Sequence, residues 1–486
     1  MASNYDNIRA ANIREYGEGT RHLSFLGQLY TERTHFIYEL LQNAEDAGAT
    51  KVFFDLHQDR LEFWHDGRPF DEQDVRGVCG VGEGTKSEDL TKIGKFGIGF
   101  KSVYAYTLAP VIYSGDESFR IDHYVRPYAA PTRPLLAPWT TLLVFPFNRP
   151  EVPAPQAHQE IGRFLWKLDV RTLLFLRNIA ELRWNIEGGA NGVQSRDTRP
   201  QGAALRVMLV SQGSQNADRQ RESEWLVFER AVALRLGAPA VNRVEIAFRM
   251  ARDSKTGKES LVAAPDSRLI VFFPTDKDTR LGFLVQGPYR TTPARDNIPQ
   301  NDPLNRMLVQ ETATLLLESL KQLRTMELLT VSLLEALPIR PGDFSKEGMF
   351  RPVFDAVRRA LREQPFFPAH GGGFVAAQKA KLARGADLLD LFTPRQLGEL
   401  LRSNESYQWI TGEITLDRTP DLYRYLLGQT NRSDEDPEAT GPLIERLEVR
   451  PETVVSNLTT ELLKKPDQTD RWMVKLYLYL ADHREQ

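Results

Sequence analysis

Residues 94–102 read Gly94-Lys95-Phe96-Gly97-Ile98-Gly99-Phe100-Lys101-Ser102. Three glycines at i, i+3 and i+5 strip Cβ atoms from one short run, so backbone N–H groups can turn toward an anion. The run feeds an apolar segment that predicts a helix starting near Ile98, whose N-terminus would add partial positive charge. Gly94, Lys95, Phe96, Gly97, Ile98, Gly99 and Phe100 are therefore candidates for holding phosphates, with Lys95 and Lys101 as candidate counter-charges. The glycine order is not that of a dinucleotide-binding turn. Upstream, Gly80-Val81-Gly82-Glu83-Gly84-Thr85-Lys86-Ser87 imitates a P-loop but has Thr85 where glycine is required, and no apolar strand feeds it.

Working back toward the N-terminus, residues 31–47 have helical periodicity, with Phe36, Ile37, Leu40, Leu41 and Ala44 as the apolar stripe and Gly48 as the stop. On that helix Glu39, Asn43 and Asp46 fall at i, i+4 and i+7 and share a face. A carboxylate and a carboxamide one turn apart suit Mg-nucleotide hydrolysis: Asn43 offers a neutral oxygen to Mg²⁺, and Glu39 can accept a proton from an attacking water. Two strands are expected at 51–56 and 60–64, followed by Trp64-His65-Asp66-Gly67. An acidic or amide group there could bond an adenine amino group, while Gly67 lets backbone approach the base. Asp71 is expected to cap a short helix with Asp74 at N3. Residues 80–94 should form a mobile loop, and strands are expected at 111–115 and 140–147.

Taken in order, these motifs resemble the GHKL superfamily of ATPases, and in particular the Hsp90-like N-terminal domain of sacsin-like proteins. The strings FIYELLQNAEDAGA and IGKFGIGFKSVY carry the resemblance, which covers roughly residues 20–150. It implies a Bergerat-type α/β sandwich that binds ATP with Mg²⁺, with Glu39 as general base, Asn43 as metal ligand, and residues 80–93 as the lid. It further implies Thr141 as the threonine supporting the adenine-binding acid. The family usually carries Asp two residues before its glycine, where this chain has His65. Either Asp66 reaches adenine through a shifted turn, or His65 and an ordered water replace the carboxylate. In such machines a second domain commonly sends a basic residue to the γ-phosphate, and Arg290 and Arg295 are the candidates.

The whole chain reads as α+β, with an ATP-binding domain at 1–150, an α+β second domain at 157–328, and a mainly helical region at 329–486 that is expected to continue in a longer natural protein. The second domain should open with a helix at about 157–178 and hold strands ELRWNI, LRVMLV, EWLVFERAVAL, RVEIAF and LIVFFP. Polar loops are expected at 187–203 and 212–223, and a closing helix near 304–324. The 486 residues carry 62 Lys+Arg against 65 Asp+Glu, a net charge of -3, which gives no bulk reason to expect nucleic acid. A single cysteine, Cys79, excludes an internal disulfide and suggests a reducing, cytoplasmic setting. No run approaches the roughly 20 apolar residues of a membrane span. The expected activity is ATP hydrolysis driving lid and domain closure in a chaperone-like or complex-assembling machine, acting on a protein client or partner subunit, with an ATP-dependent homodimer compatible with it. The alternative is an ATPase switch of a nucleic-acid-handling or bacterial defence system.

Overall fold

The computed structural model describes residues 2–19, 21–28, 32–81, 99–213, 221–234, 240–292, 297–403, 405–429, 436–465 and 468–483. The chain forms two compact units. One comprises Met1–Glu245, Leu269–Lys277 and Gln286–Pro299; the other comprises Ile246–Arg268, Asp278–Val285 and Gln300–Gln486.

The first unit includes ten consecutive strands: β1 (Lys51–Leu56), β2 (Arg60–His65), β3 (Val111–Ser114), β4 (Glu117–Asp122), β5 (Arg126–Ala129), β6 (Thr141–Pro146), β7 (Glu181–Ile186), β8 (Asn191–Gln201), β9 (Ala204–Gly213) and β10 (Arg221–Val232). Their order is β5-β4-β3-β6-β2-β1-β7-β8-β9-β10. The pairing of β1 with β7 is parallel, whereas β2 pairs antiparallel with both β1 and β6. Helices α1 (Tyr5–Tyr16), α2 (Phe36–Asp46), α3 (Glu72–Cys79) and α4 (Ala154–Lys167) accompany this sheet.

Helix α2 forms because its apolar residues recur on one side: Phe36, Ile37, Leu40, Leu41 and Ala44 are all essentially inaccessible. Burying each large side chain is worth roughly 1.5–3 kcal/mol, more than any propensity term. The helix ends on Gly48 at φ +72°, where Gly48 N–H bonds Glu45 O and Ala49 N–H bonds Ala44 O. Helix α3 begins with the expected reciprocal cap: Asp74 N–H donates to Asp71 Oδ1, and Asp71 N–H donates to Asp74 Oδ2.

Several local expectations are corrected. Helix α2 starts at Phe36, after a 3-10 turn at Arg33–His35, rather than in the low thirties. Residues 99–105 form a 3-10 element, not an α-helix. The helix expected at 157–178 stops at Lys167. The stretch expected as a polar loop at 187–203 contains β8, whose pairing with β9 runs from Gly192–Gly213 to Gln201–Ala204. Its sequence, NGVQSRDTRPQ, has little apolar alternation because Gln194 alone among its residues is buried, so ladder hydrogen bonds rather than side-chain burial define it. The expected loop at 212–223 is shortened on both sides, since β9 ends at Gly213 and β10 starts at Arg221.

The second unit is mainly helical. Its start lies within β11 (Asn242–Arg252), whose end pairs antiparallel with β12 (Glu259–Val262). Helix α5 (Pro303–Thr325) is capped by Asp302, which accepts from Leu304 N and Asn305 N, and it buries Leu308, Leu315, Leu316, Leu320 and Leu323. Helix α6 (Val331–Ala336) lies so close to Gly282 that a Cβ there would sit 2.3 Å from Ala336 O. Helix α7 (Arg351–Glu363) follows. Near the C-terminus Phe392, Leu397, Trp409, Trp472 and Leu476 share a separate apolar cluster. Among the described residues, no helix is long and apolar enough to cross a membrane.

Candidate functional site

Helix α2 places Glu39 in the protein interior and leaves Asn43 and Asp46 half-buried. The 3-10 element Gly99–Ala105 packs against this helix. Gly99 touches the Glu39 carboxylate: a Cβ at Gly99 would lie 2.0 Å from Glu39 Oε2 and 3.0 Å from its Cδ. Only glycine admits that approach. Phe100 is buried beside Phe145 of β6, with ring centroids 6.5 Å apart, and so anchors the C-terminal edge of the glycine-rich run in the core. Gly94, Lys95, Phe96, Gly97 and Ile98 lie outside the described residues, as do positions 82–93 of the expected lid.

At the end of β2, His65 is buried and stands opposite Thr141 in the β2–β6 register. Its Nδ1 accepts from Gly67 N–H at 3.2 Å. Burial pushes the imidazole down to about 4, against the small upward pull of Asp66, so it is neutral at physiological pH. With Nδ1 accepting, the proton of the neutral ring resides on Nε2. Thr141 is fully buried and shares a 2.6 Å hydrogen bond with Ser114 Oγ, which in turn accepts from Phe70 N–H at 2.9 Å. Thr140 Oγ1 donates to Gly67 O, and Thr140 N–H donates to His65 O at 3.1 Å. Thr140 thus fixes the His65–Gly67 turn, and the Thr141–Ser114 pair holds Phe70 just beyond it. Gly67 lies against the end of α2, where a Cβ would come within 2.9 Å of Ala47 O.

Asp66 is spent elsewhere. Its Oδ1 accepts from Thr50 N at 2.7 Å and Lys51 N at 2.8 Å, and its Oδ2 accepts from Thr50 Oγ1. Although burial opposes ionisation, these bonds hold its pKa below the usual carboxylate range. Of the two alternatives left by the sequence at this position, the structure engages Asp66 with the start of β1 and leaves His65 in the interior.

Lys101 also departs from expectation. Its ammonium is completely buried and donates to Val78 O at 2.6 Å and Tyr124 O at 2.7 Å, so it serves the protein's own carbonyls. Burial lowers its pKa to about 8, which still leaves it charged at neutral pH. Val78 lies in the last turn of α3, where a cation complements unpaired helix carbonyls. Glu45 was not singled out by sequence, yet it is buried. Its carboxylate accepts from Arg177 N at 2.7 Å, Asn178 N at 2.9 Å and Ile179 N at 2.9 Å, tying the C-terminal end of α2 to the approach to β7. The signal was its placement: two acids, Glu45 and Asp46, in a last helical turn oppose the helix dipole and require donors from elsewhere. Arg290 is exposed just beyond the strand Leu284–Gln286, and Arg295 lies outside the described residues.

The buried neutral His65 sets a pH dependence. Between pH 6.5 and pH 4 the unfolded chain binds a proton at this residue and the folded chain does not, so stability is lost as pH falls through that window. The gap corresponds to about 3 kcal/mol. Thermal melts from pH 7 to pH 4 should show His65→Gln with a flatter stability profile than the parent. Parallel profiles would show that His65 does not titrate as a buried neutral group.

Residues 19–128 match the Sacsin domain family, a span that includes Glu39, Asn43, His65 and Gly99. Protein NO VEIN of Arabidopsis thaliana is 24% identical over 324 residues, covering 60% of this chain and 11% of that protein. Human sacsin is 39% identical over 105 residues, covering 18% of this chain and 2% of that protein. The chain thus spans about a tenth or less of the length of these curated relatives. A solved structure described as "Crystal Structure of N terminal domain of a DNA repair protein" aligns at 12% identity with a TM-score of 0.31, covering 56% of this chain and 90% of that one. The N-terminal part of the chain is sacsin-like.

Proposed function

We propose that the sacsin-like N-terminal part is a Mg-dependent ATPase of the GHKL type, with a Bergerat-type pocket between α2, the glycine-rich run and the β2–β6 end of the sheet. The observation that carries this reading is the contact between Gly99 and the Glu39 carboxylate, with a Cβ position only 2.0 Å from Oε2. A candidate base and the last glycine of a run suited to phosphates meet, although sixty residues of sequence separate them.

The residues fit the groups they would hold. Asn43, one helical turn beyond Glu39, supplies a neutral amide oxygen of the kind a hard cation accepts, and Mg²⁺ when bound would offset charge on the phosphate oxygens. Glu39 orients a water and takes its proton as that water attacks the terminal phosphorus, while the bond from that phosphorus to the bridging oxygen breaks and ADP leaves. Backbone N–H groups of the glycine-rich run meet the phosphate oxygens. At the base end, His65 Nε2–H presents a donor where relatives of this type present a carboxylate acceptor, so adenine is read through its ring nitrogen or through an ordered water. In this reading ATP orders residues 80–93 as a lid, and Arg290 or Arg295 senses the γ-phosphate. Closure then serves a chaperone-like or assembly function on a protein partner or a second copy of the chain.

Isothermal titration with a non-hydrolysable ATP analogue tests the pocket. Asn43→Ala should weaken Mg-dependent binding about tenfold or more by removing the metal's amide ligand. Equal affinity of parent and variant, with and without Mg²⁺, would remove Asn43 from the site and the pocket with it.

A further inference from the structure

A concave region lies in the first unit, on the part of the sheet that does not carry the candidate ATPase residues. The strand registers build its floor. Trp184 of β7 pairs with Gly192 of β8, which pairs with Gly213 of β9; two residues along, Gln194 of β8 pairs with Ser211 of β9, which pairs with Arg221 of β10. Because side chains alternate, these two rows share one face. Gly192 is required there, since a Cβ would come 2.5 Å from Trp184 Cζ2. The end of α4, Trp166 and Lys167, forms the wall, and the open concavity measures about 570 Å³. That lies within the usual 300–1,000 Å³ of small-ligand sites.

Three features of the lining lack internal satisfaction. Gln194 is buried and its Nε2 donates to Leu168 O at 2.6 Å, but its Oε1 has no hydrogen-bond partner among the described residues. Lys167 and Arg221 line the same cavity, both are exposed, and neither has a carboxylate partner among the described residues. The acidic residue of the lining, Asp169, is already occupied by Arg171, at 2.6 Å from its Nη2 and 2.8 Å from its Nε. Finally, Trp166 is 54% exposed, whereas Ala157, Ile161 and Leu165 of the same helix are buried. An exposed indole beside two cations without a carboxylate partner among the described residues asks for a ligand with a flat ring and negative charge.

We propose that this cavity binds a nucleobase together with its adjoining phosphate. The base stacks on Trp166, and Lys167 and Arg221 meet the phosphate. The same chemistry is offered by a free mononucleotide and by a single strand, and the sources separate experimentally. The site is independent of the ATPase reading.

The test is fluorescence anisotropy of the full chain with a short labelled single-stranded oligonucleotide, with AMP as competitor, carried out in Asn43→Ala to weaken the candidate ATP pocket. Trp166→Ala should lower affinity about tenfold, a typical loss for one stacked base. The double charge reversal Lys167→Glu with Arg221→Glu should flatten the salt dependence by one to two units of slope. All three positions are exposed, so melting temperatures should stay near that of the parent. Oligonucleotide binding that AMP does not displace assigns the site to a strand; AMP binding that Trp166→Ala weakens assigns it to a free nucleotide. No binding of either ligand, or binding indifferent to Trp166→Ala and to the charge reversal, would overturn the proposal.

Discussion

Replacing Glu39 by alanine is expected to lower ATP turnover by roughly 10²-fold or more while leaving Mg-ATP binding in place, the range typical of losing a general base. Glu39 is buried on the face of α2 that also carries Asn43, and its carboxylate touches the Gly99 backbone. The substitution keeps the helix, since alanine is its best former, and it leaves the amide oxygen of Asn43 untouched. Binding and chemistry therefore separate: titration with a non-hydrolysable analogue should give near-parental affinity while phosphate release collapses. Because the triphosphate persists in the variant, protease protection of the Lys- and Glu-containing segment 80–93 by ATP should outlast that of the parent. Turnover at the parental rate would mean that another group takes the proton. Loss of binding would make Glu39 a ligand or structural residue instead.

The second large effect is at Gly99. A methyl there would lie 2.0 Å from Glu39 Oε2, and the atom in its way is the tip of a side chain, not backbone. Gly99→Ala should therefore displace the carboxylate more than it disrupts the fold. The cost in stability should be about 1 kcal/mol, at the low end for an overpacked site, while turnover falls at least tenfold and ATP affinity drops as the loop backbone retreats from phosphate. The two substitutions should be non-additive: in Glu39→Ala the obstacle is gone, so adding Gly99→Ala should cost little further turnover. A double-mutant cycle on turnover measures this. Fully additive losses would show that Gly99 and Glu39 act separately, against the contact on which the ATPase reading rests.

Much of this was legible in the chain because local periodicity carries it. The apolar stripe of α2 put Glu39, Asn43 and Asp46 on one face, Gly48 ended the helix, and the Asp71–Asp74 box started α3. The strands expected at 51–56 and 60–64 followed from short apolar runs around a polar turn, the second extending one residue further to His65. Each of these depends on neighbours within a few residues, for which spacing is sufficient.

Other features depended on partners far along the chain. Strand β8 is polar and buries Gln194 alone, so no hydrophobic pattern marks it, and its ladder to β9 defines it. The parallel pairing of β1 with β7 joins segments about 130 residues apart, and nothing local announces it. Lys101 reads as a surface cation beside a phosphate loop until Val78 O and Tyr124 O enclose its ammonium. Asp66 reads as the nearest acid to the family's position until Thr50 and Lys51 claim both of its oxygens. Which residue types stand at which helical and strand positions is readable from the chain's local pattern. Which polar groups are used up internally is set by the fold, because a buried donor or acceptor must be satisfied by whatever comes within about 3 Å, and that distance is independent of separation along the chain.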